Sequence, residues 1–333
     1  MKKCLTILMA LLVTLILLVG CNTTDTTVEA PDEDQAIETE QEDVVEGEGD
    51  EDQFPLTLTD AMDNEVTIEE EPKRIVSLIP SITETIFALD KGEYLVGRTD
   101  WCNYPEAALE VDSVGGMEFD VEKLLSLTPD LVISHASGAH SSADGLDQLR
   151  NAGVTVVVVN DATSIDDVYK AIAMIANVTG AVDKGEEIVS EMTATFEEIA
   201  AKASAISVND QVKVWVEVSP APEIYTTGKG TFLDEMLQMI NATNAASEVD
   251  GWAMFTEEEA VAFNPDVIVT TYGYYVENPS EQIKQRSAWK DVTAVTNDRI
   301  YDVDPDQVTR SGPRLVKGVE ELATRIYPDV FAE

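Results

Sequence analysis

The chain has 333 residues, which at ~150 residues per domain gives about two domains and enough length to bury a core without disulfide or metal staples. It carries 21 Lys+Arg against 64 Asp+Glu, a formal charge of −43, while 44% of its residues are apolar. Global disorder is excluded by the length and the apolar content, and a nucleic-acid partner by the charge, because such a field repels phosphate backbones.

In chain order, Lys2 and Lys3 precede an uncharged run from Cys4 to Gly20, the arrangement of a secretory signal. The run ends Leu18-Val19-Gly20-Cys21, which resembles the bacterial lipobox. That resemblance makes residues 1–21 a lipoprotein signal peptide and Cys21 the acylated residue. The competing reading is a signal anchor kept as a transmembrane helix, for which 17 residues are marginal against a ~30 Å hydrocarbon core. Residues 22–53 contain 14 Asp or Glu and no Lys or Arg, a composition that cannot offset its own ordering entropy. They read as a disordered acidic tether with an end-to-end distance of roughly 30 Å, stretched further by like-charge repulsion. Cys4 leaves with the signal and Cys21 is consumed by lipid, so Cys102 is the one remaining thiol and no intramolecular disulfide forms.

The body, residues 54–333, keeps a formal charge of −31. It opens with a hairpin, Leu56–Thr59 and Val66–Ile68, turning through Asp63-Asn64. Strands are then predicted at Ile75–Leu78, Tyr94–Gly97, Leu131–Ser134, Val154–Asn160, Val212–Val218, Val267–Thr271 and Ile300–Val303. Helices are predicted at Ile82–Leu89, Val121–Leu127, Gly145–Asn151, Ser164–Thr179, Thr231–Ile240, Glu257–Phe263 and Pro313–Ile326. Alternation of buried β-branched strands with amphipathic helices gives an α/β fold with mostly parallel sheets. Residues 182–206, with Ile188, Met192, Phe196 and Ile199 at helical spacing, predict one long interlobe helix of ~37 Å. The expected organisation is therefore an N-terminal lobe, residues 54–181, the helix, and a C-terminal lobe, residues 207–333.

Residues 119–134 align without a gap on residues 255–270, both reading capped helix, Pro-Asp, strand. Asp120 and Thr256 stand at the N-caps, Thr256 with Glu259 as a capping box. Shared helix-turn-strand grammar is the bland explanation of this match. Glu122 and Glu258 fall at equivalent places, although neighbouring Glu257 and Glu259 leave the register of the second open.

The segments Pro72-Lys-Arg-Ile-Val-Ser-Leu-Ile-Pro80-Ser81-Ile-Thr-Glu84, Tyr104-Pro105, the paired Pro-Asp-strand units and Arg310-Ser-Gly-Pro313-Arg314, in this order and behind a lipobox, resemble the periplasmic binding proteins that serve ABC importers of cobalamin, haem and iron-siderophores. The resemblance covers about residues 54–330 and is nearest to cobalamin-binding members. It implies two lobes with the ligand held between them, no catalysis and no resident cofactor, a monomer anchored outside the cytoplasm by its N-terminal lipid, and a dimeric ABC permease as partner.

A cleft for a large, flat, partly apolar ligand needs aromatic faces with a few polar anchors on loops at strand ends. Trp101, Tyr104, Tyr225 and Trp252 are such aromatics, and the family pattern matches Trp101, Tyr225 and Trp252 to ligand-lining positions; a core plug is the ordinary role of a loop Trp. Asp306 and Arg310 match positions that hydrogen-bond the ligand periphery in cobalamin-type members, against the alternative of a surface ion pair for Arg310 or Arg314. Both histidines, His135 and His140, fall in one loop. A neutral imidazole at His135 suits axial ligation of a metal carried by the ligand, where cobalamin binders carry an aromatic; a solvated polar loop is the alternative. Cys102 reads as a buried small side chain or a soft ligand. In the family, one acidic residue per lobe docks on the permease, a role that falls to Glu122 and Glu258; a solvated helix face is the alternative. No HExxH, GxSxG or GxxxxGK[ST] motif occurs, leaving a surface hydrolase, adhesin or sensor domain as readings of another class.

Overall fold

The computed structural model describes residues 53–331 except Met117; the signal peptide, Cys21 and the tether up to residue 52 lie outside the described residues. No helix among the described residues is long and apolar enough to cross a membrane.

Strands β1 (Leu56–Thr59) and β2 (Glu65–Ile68) pair antiparallel, with Asp63 at φ 59° in the turn. The buried Asp60 carboxylate accepts from Met62 N, Asn64 N and Val158 N, which fastens this hairpin to the first sheet. That sheet contains β3 (Ile75–Ser77), β4 (Leu95–Arg98), β5 (Leu131–His135) and β6 (Thr155–Val159), all parallel in the order β4-β3-β5-β6. Its connections hold α1 (Pro80–Ala88), α2 (Val121–Ser126), α3 (Ala136–Ala139) and α4 (Ala143–Asn151). Then comes α5 (Ile165–Thr179), capped by the Ser164 hydroxyl and stopped by Gly180 at φ 68°.

Helix α6 (Val182–Ala203) follows at once and ends three residues before the predicted limit. Its 22 residues extend ~33 Å. The chain then runs through β7 (Lys213–Glu217), β8 (Ile224–Thr227), α7 (Phe232–Met239), β9 (Thr243–Asn244), β10 (Trp252–Phe255), α8 (Glu257–Ala262), β11 (Val267–Thr270), α9 (Pro279–Gln285), α10 (Thr293–Thr296), β12 (Ile300–Asp302), α11 (Pro305–Val308) and α12 (Leu315–Ile326), and β7, β9, β11 and β12 form the second sheet. Its parallel order is β12-β11-β7-β9, which has the connectivity of the first sheet, with β7 and β11 in the places of β3 and β5.

The repeat is explicit at its joints. Thr128 (φ 46°) and Asn264 (φ 44°) each enter the Pro-Asp turn with positive φ. The following Asp130 accepts from Lys73 N and Arg74 N, ahead of β3, and Asp266 accepts from Lys213 N of β7. Each Pro-Asp thus fixes the register of its own strand against the neighbour, satisfying backbone donors that the parallel ladder leaves unpaired.

Alternate strand residues point to opposite faces and build separate cores. Val76, Val132, Val156 and Val158 pack outward on Leu124, Leu146 and Leu149. In the second lobe Trp215, Ile268 and Ile300 do the same on Trp289 and Ile283. The other faces, Ile75, Ile133 and Val157 in one lobe and Val214, Val216 and Val269 in the other, join one continuous core with the buried stripe of α6, namely Ile188, Met192, Phe196 and Ile199. Truncating Phe196 to Ala costs about 3–5 kcal/mol, because its ring is buried where both lobes meet the helix.

The antiparallel pair β8-β10 is absent from the sequence reading, which has Tyr225 on a loop. Both strands are four residues long and their partners lie far apart in sequence. Beyond them Gly228 N donates to Gly251 O at 2.8 Å, and a Cβ at Gly228 would stand 2.1 Å from Val249 O, so only glycine permits this approach.

Candidate functional site

Parallel strands deliver their C-terminal ends and following loops to one edge of each sheet, and those edges frame a cleft. Two adjoining cavities occupy it. One, about 370 Å3, lies within the first lobe and is lined by Trp101, Phe119, Thr99, Ser134 and Ser142 among others. The other, about 420 Å3, lies between lobes, with Pro80, Ser81 and Asp161 on one side and Phe232, Trp252 and Arg310 on the other. Ile79, Pro80, His135 and Ser137 belong to both, so His135 stands where they meet.

His135 is the last residue of β5 and N-caps α3, while His140 lies exposed at the far end of α3. The shared loop expected from the sequence is therefore a strand end and a short helix, because β5 runs on to His135 and α3 starts at the next residue. His135 Nδ1 is 2.9 Å from Ser137 Oγ and 3.2 Å from Asp161 Oδ1. Burial depresses the pKa of this imidazole below its ordinary value, and Asp161 offsets part of that shift, so the ring is neutral at pH 7. Among the described residues Nε2 has no protein partner. In the tautomer that donates Nδ1–H to the Asp161 carboxylate, Nε2 keeps its lone pair, as a metal-ligating histidine needs. No cluster of three or more His, Cys, Asp or Glu suited to a metal ion occurs among the described residues.

Trp101 is 62% exposed in the first-lobe cavity and Trp252 47% exposed in the interlobe cavity. Tyr225 lines neither cavity. It pairs with Met254 across the β8-β10 ladder, and Trp252, Met254 and Tyr225, all exposed, share one face of that ribbon. Arg310 lies in the cleft wall with Asp306 behind it, the carboxylate 2.7 Å from Arg310 Nη2. Tyr104 is not brought to the cleft. Its ring lies 4.1 Å from the Arg314 guanidinium and lines a third, larger cavity of about 580 Å3 between α1, α6 and α12. Cys102 is fully buried, with its thiol 3.2 Å from Thr99 Oγ1.

Sequence reasoning assigns no role to Glu84, Asn103 or Asp161. Glu84, on the buried face of α1, takes Arg310 Nη1, Arg314 Nε and Arg314 Nη2, each at 2.7 Å. Asn103 bridges the same seam, accepting from Arg310 Nη1 at 2.7 Å and donating to Asp306 Oδ2 at 3.2 Å. The signal for Glu84 is a single carboxylate in an otherwise uncharged helix, which once buried requires a cation. The cation's identity lies more than 200 residues away and is not encoded locally.

Glu122 and Glu258 each occupy the second helical position after their caps and are exposed. Glu259 is committed to the capping box, accepting from Thr256 N and Oγ1 at 2.9 Å, and these bonds hold its carboxyl below the usual range. Neither Glu122 nor Glu258 makes a side-chain hydrogen bond or ion pair among the described residues.

The family pattern described as "Periplasmic binding protein" matches residues 75–307. An uncharacterised ABC transporter substrate-binding lipoprotein, YvrC of Bacillus subtilis, is 49% identical over 84% of this chain and 88% of its own. A cobalamin-binding protein of Halobacterium salinarum is 28% identical over 82% of this chain and 74% of its own. Among solved structures, a possible iron-binding (periplasmic solute-binding) protein of Staphylococcus epidermidis superposes with a TM-score of 0.69 at 35% identity, covering 78% of this chain and all of that one.

Proposed function

Because the chain belongs to the periplasmic binding protein family, as an extracytoplasmic substrate-binding component of an ABC transporter, we propose that it captures a cobalamin-like metal tetrapyrrole between its lobes and hands it to a dimeric permease. The observation that carries this reading is His135, neutral, pinned at Nδ1 and unengaged at Nε2, at the meeting of two cleft cavities with Trp101 in one and Trp252 in the other. Flat ring faces stack on the indoles, and Nε2 reaches the metal axially. The cobalamin-binding relative supports a corrin. The same imidazole also suits haem iron, and the iron-binding structural relative supports that second reading.

The lipidated Cys21 holds the protein at the membrane as a monomer, and residues 22–53 serve as its leash. Glu122 and Glu258 meet the two permease subunits, one per lobe, since rim carboxylates steer encounter and fix register. The reading assigns the chain no catalysis.

Titration with aquocobalamin, cyanocobalamin, haemin and a ferric siderophore, followed by tryptophan quenching and visible absorbance, tests this reading. Aquocobalamin binds with a spectral change as His135 replaces water on cobalt; His135→Ala loses that change and about tenfold or more in affinity. Saturable binding of none of the four sinks the proposal.

A further inference from the structure

The cleft is poor in free positive charge. Among the described residues, the walls of its two cavities carry no lysine and a single guanidinium, Arg310. That group is already taken: Nη1 donates to Glu84 Oε1 and Asn103 Oδ1, both at 2.7 Å, and Nη2 reaches Asp306 Oδ1 at 2.7 Å and Trp101 O at 3.5 Å. All of its terminal N–H groups thus have acceptors inside the protein. Arg314, next along, is gripped by the same Glu84 through Nε and Nη2. Two guanidinium groups meet two carboxylates, Glu84 and Asp306, and the cluster sums to zero. Glu84 is its centre and is 4% exposed. The rest of the first-lobe cavity offers hydroxyls, Thr99, Ser134, Ser137, Ser141 and Ser142, which both donate and accept. Asp161 adds a carboxylate to the interlobe wall, and around the cleft lies a body of formal charge −31.

We propose that Glu84 is a specificity-determining residue: by holding Arg310 and Arg314 it withholds the cleft's cation from the ligand, so the site selects tetrapyrroles rimmed by uncharged carboxamides and discriminates against those rimmed by carboxylates. This rests on the reading of the cleft as a metal-tetrapyrrole site. A carboxamide rim finds partners in the hydroxyls and brings no charge to desolvate. A carboxylate rim enters a cavity with no free cation and pays the desolvation of an unpaired anion. The nucleotide phosphate of a complete corrinoid finds no free cation either, so cobinamide, which lacks that phosphate, binds at least as well as cyanocobalamin.

The experiment compares cobinamide, cyanocobalamin and haemin on the wild-type protein, Glu84→Gln and Arg310→Gln by competition titration, with near-ultraviolet circular dichroism to verify packing. Wild type prefers cobinamide to haemin by tenfold or more. Glu84→Gln, which removes the carboxylate the two guanidinium groups share and leaves the cluster with one positive charge in excess, shifts that ratio toward haemin by about ten- to a hundredfold, the scale of a charge-assisted hydrogen bond. Arg310→Gln takes the guanidinium out of the cleft wall and leaves the cluster with one carboxylate in excess, so its ratio moves toward cobinamide, opposite in sign to Glu84→Gln. Should Glu84→Gln fail to fold, Asp306→Asn removes the other carboxylate from Arg310 and gives a smaller shift of the same sign. Equal wild-type affinity for haemin and cobinamide, an unchanged ratio in a folded Glu84→Gln, or a shift toward haemin in Arg310→Gln overturns the inference while leaving the tetrapyrrole reading intact. Binding of no tetrapyrrole by wild type removes the reading and the inference together.

Discussion

The two lobes share one connectivity and one set of joints, yet they furnish the cleft differently. The first lobe contributes a buried imidazole at the end of β5 and a cavity of hydroxyls. In the second, the position matching His135 is Thr271, which hydrogen-bonds toward Val218 O, and the aromatic face comes from the added ribbon β8-β10. Duplicated scaffolding with unlike loops separates two requirements. The outer rims keep equivalent carboxylates at equivalent helix positions, which the proposed docking on a twofold permease needs, while the inner edges diverge.

The most damaging way to break this comparison is at the rim. Glu122→Ala and Glu258→Ala should each slow association with the permease about tenfold, and the double variant about a hundredfold, with ligand affinity unchanged. Association rates with the permease in nanodiscs measure this, and unequal single losses would show that the permease does not treat the lobes as equivalent. A second difference between the lobes is titratable. Burial lowers the folded-state pKa of His135 below its ordinary 6.5, so the stability gained from keeping it neutral is present above about 6.5 and lost as pH falls through the depressed value. Urea midpoints between pH 7 and 5 should therefore decline less steeply in His135→Gln than in wild type, whereas Thr271→Val should leave the slope unaltered. The smallest effect lies at the caps. Asp120→Ala and Thr256→Ala should each cost about 1 kcal/mol, with Thr256→Ala the larger because it also dismantles the capping box. Thermal melts of the pair rank them.

Much of the scaffold was legible because its signals are local. Runs such as Val156–Val159 and Val267–Val269 are apolar on both faces, and the spacing of Ile188, Met192, Phe196 and Ile199 marks the buried stripe of α6. The alignment of Thr128-Pro129-Asp130 on Asn264-Pro265-Asp266 is readable in the sequence alone, and the two turns share a positive φ. The ribbon β8-β10 was not legible, since Ile224–Thr227 is too short to declare itself and its partner follows an intervening helix. Within the site, Trp101, His135, Trp252 and Arg310 come together at the cleft, whereas Tyr104, with the same aromatic credentials, turns to cover Arg314 on another side of the seam. Nothing near Tyr104 in sequence distinguishes a ring that meets a ligand from one that covers an internal guanidinium. The partners of Glu84 were likewise hidden, because pairing over 226 and 230 residues is a property of the closed tertiary structure.

The continuous core along α6 bears on how the molecule comes apart. With Ile188, Met192, Phe196 and Ile199 buried in a cluster drawn from both sheets, neither sheet can lose its inner layer without exposing apolar surface of the other. The lobes therefore unfold as one cooperative unit, and the amide protons of α6 and of both sheets exchange through the same global opening.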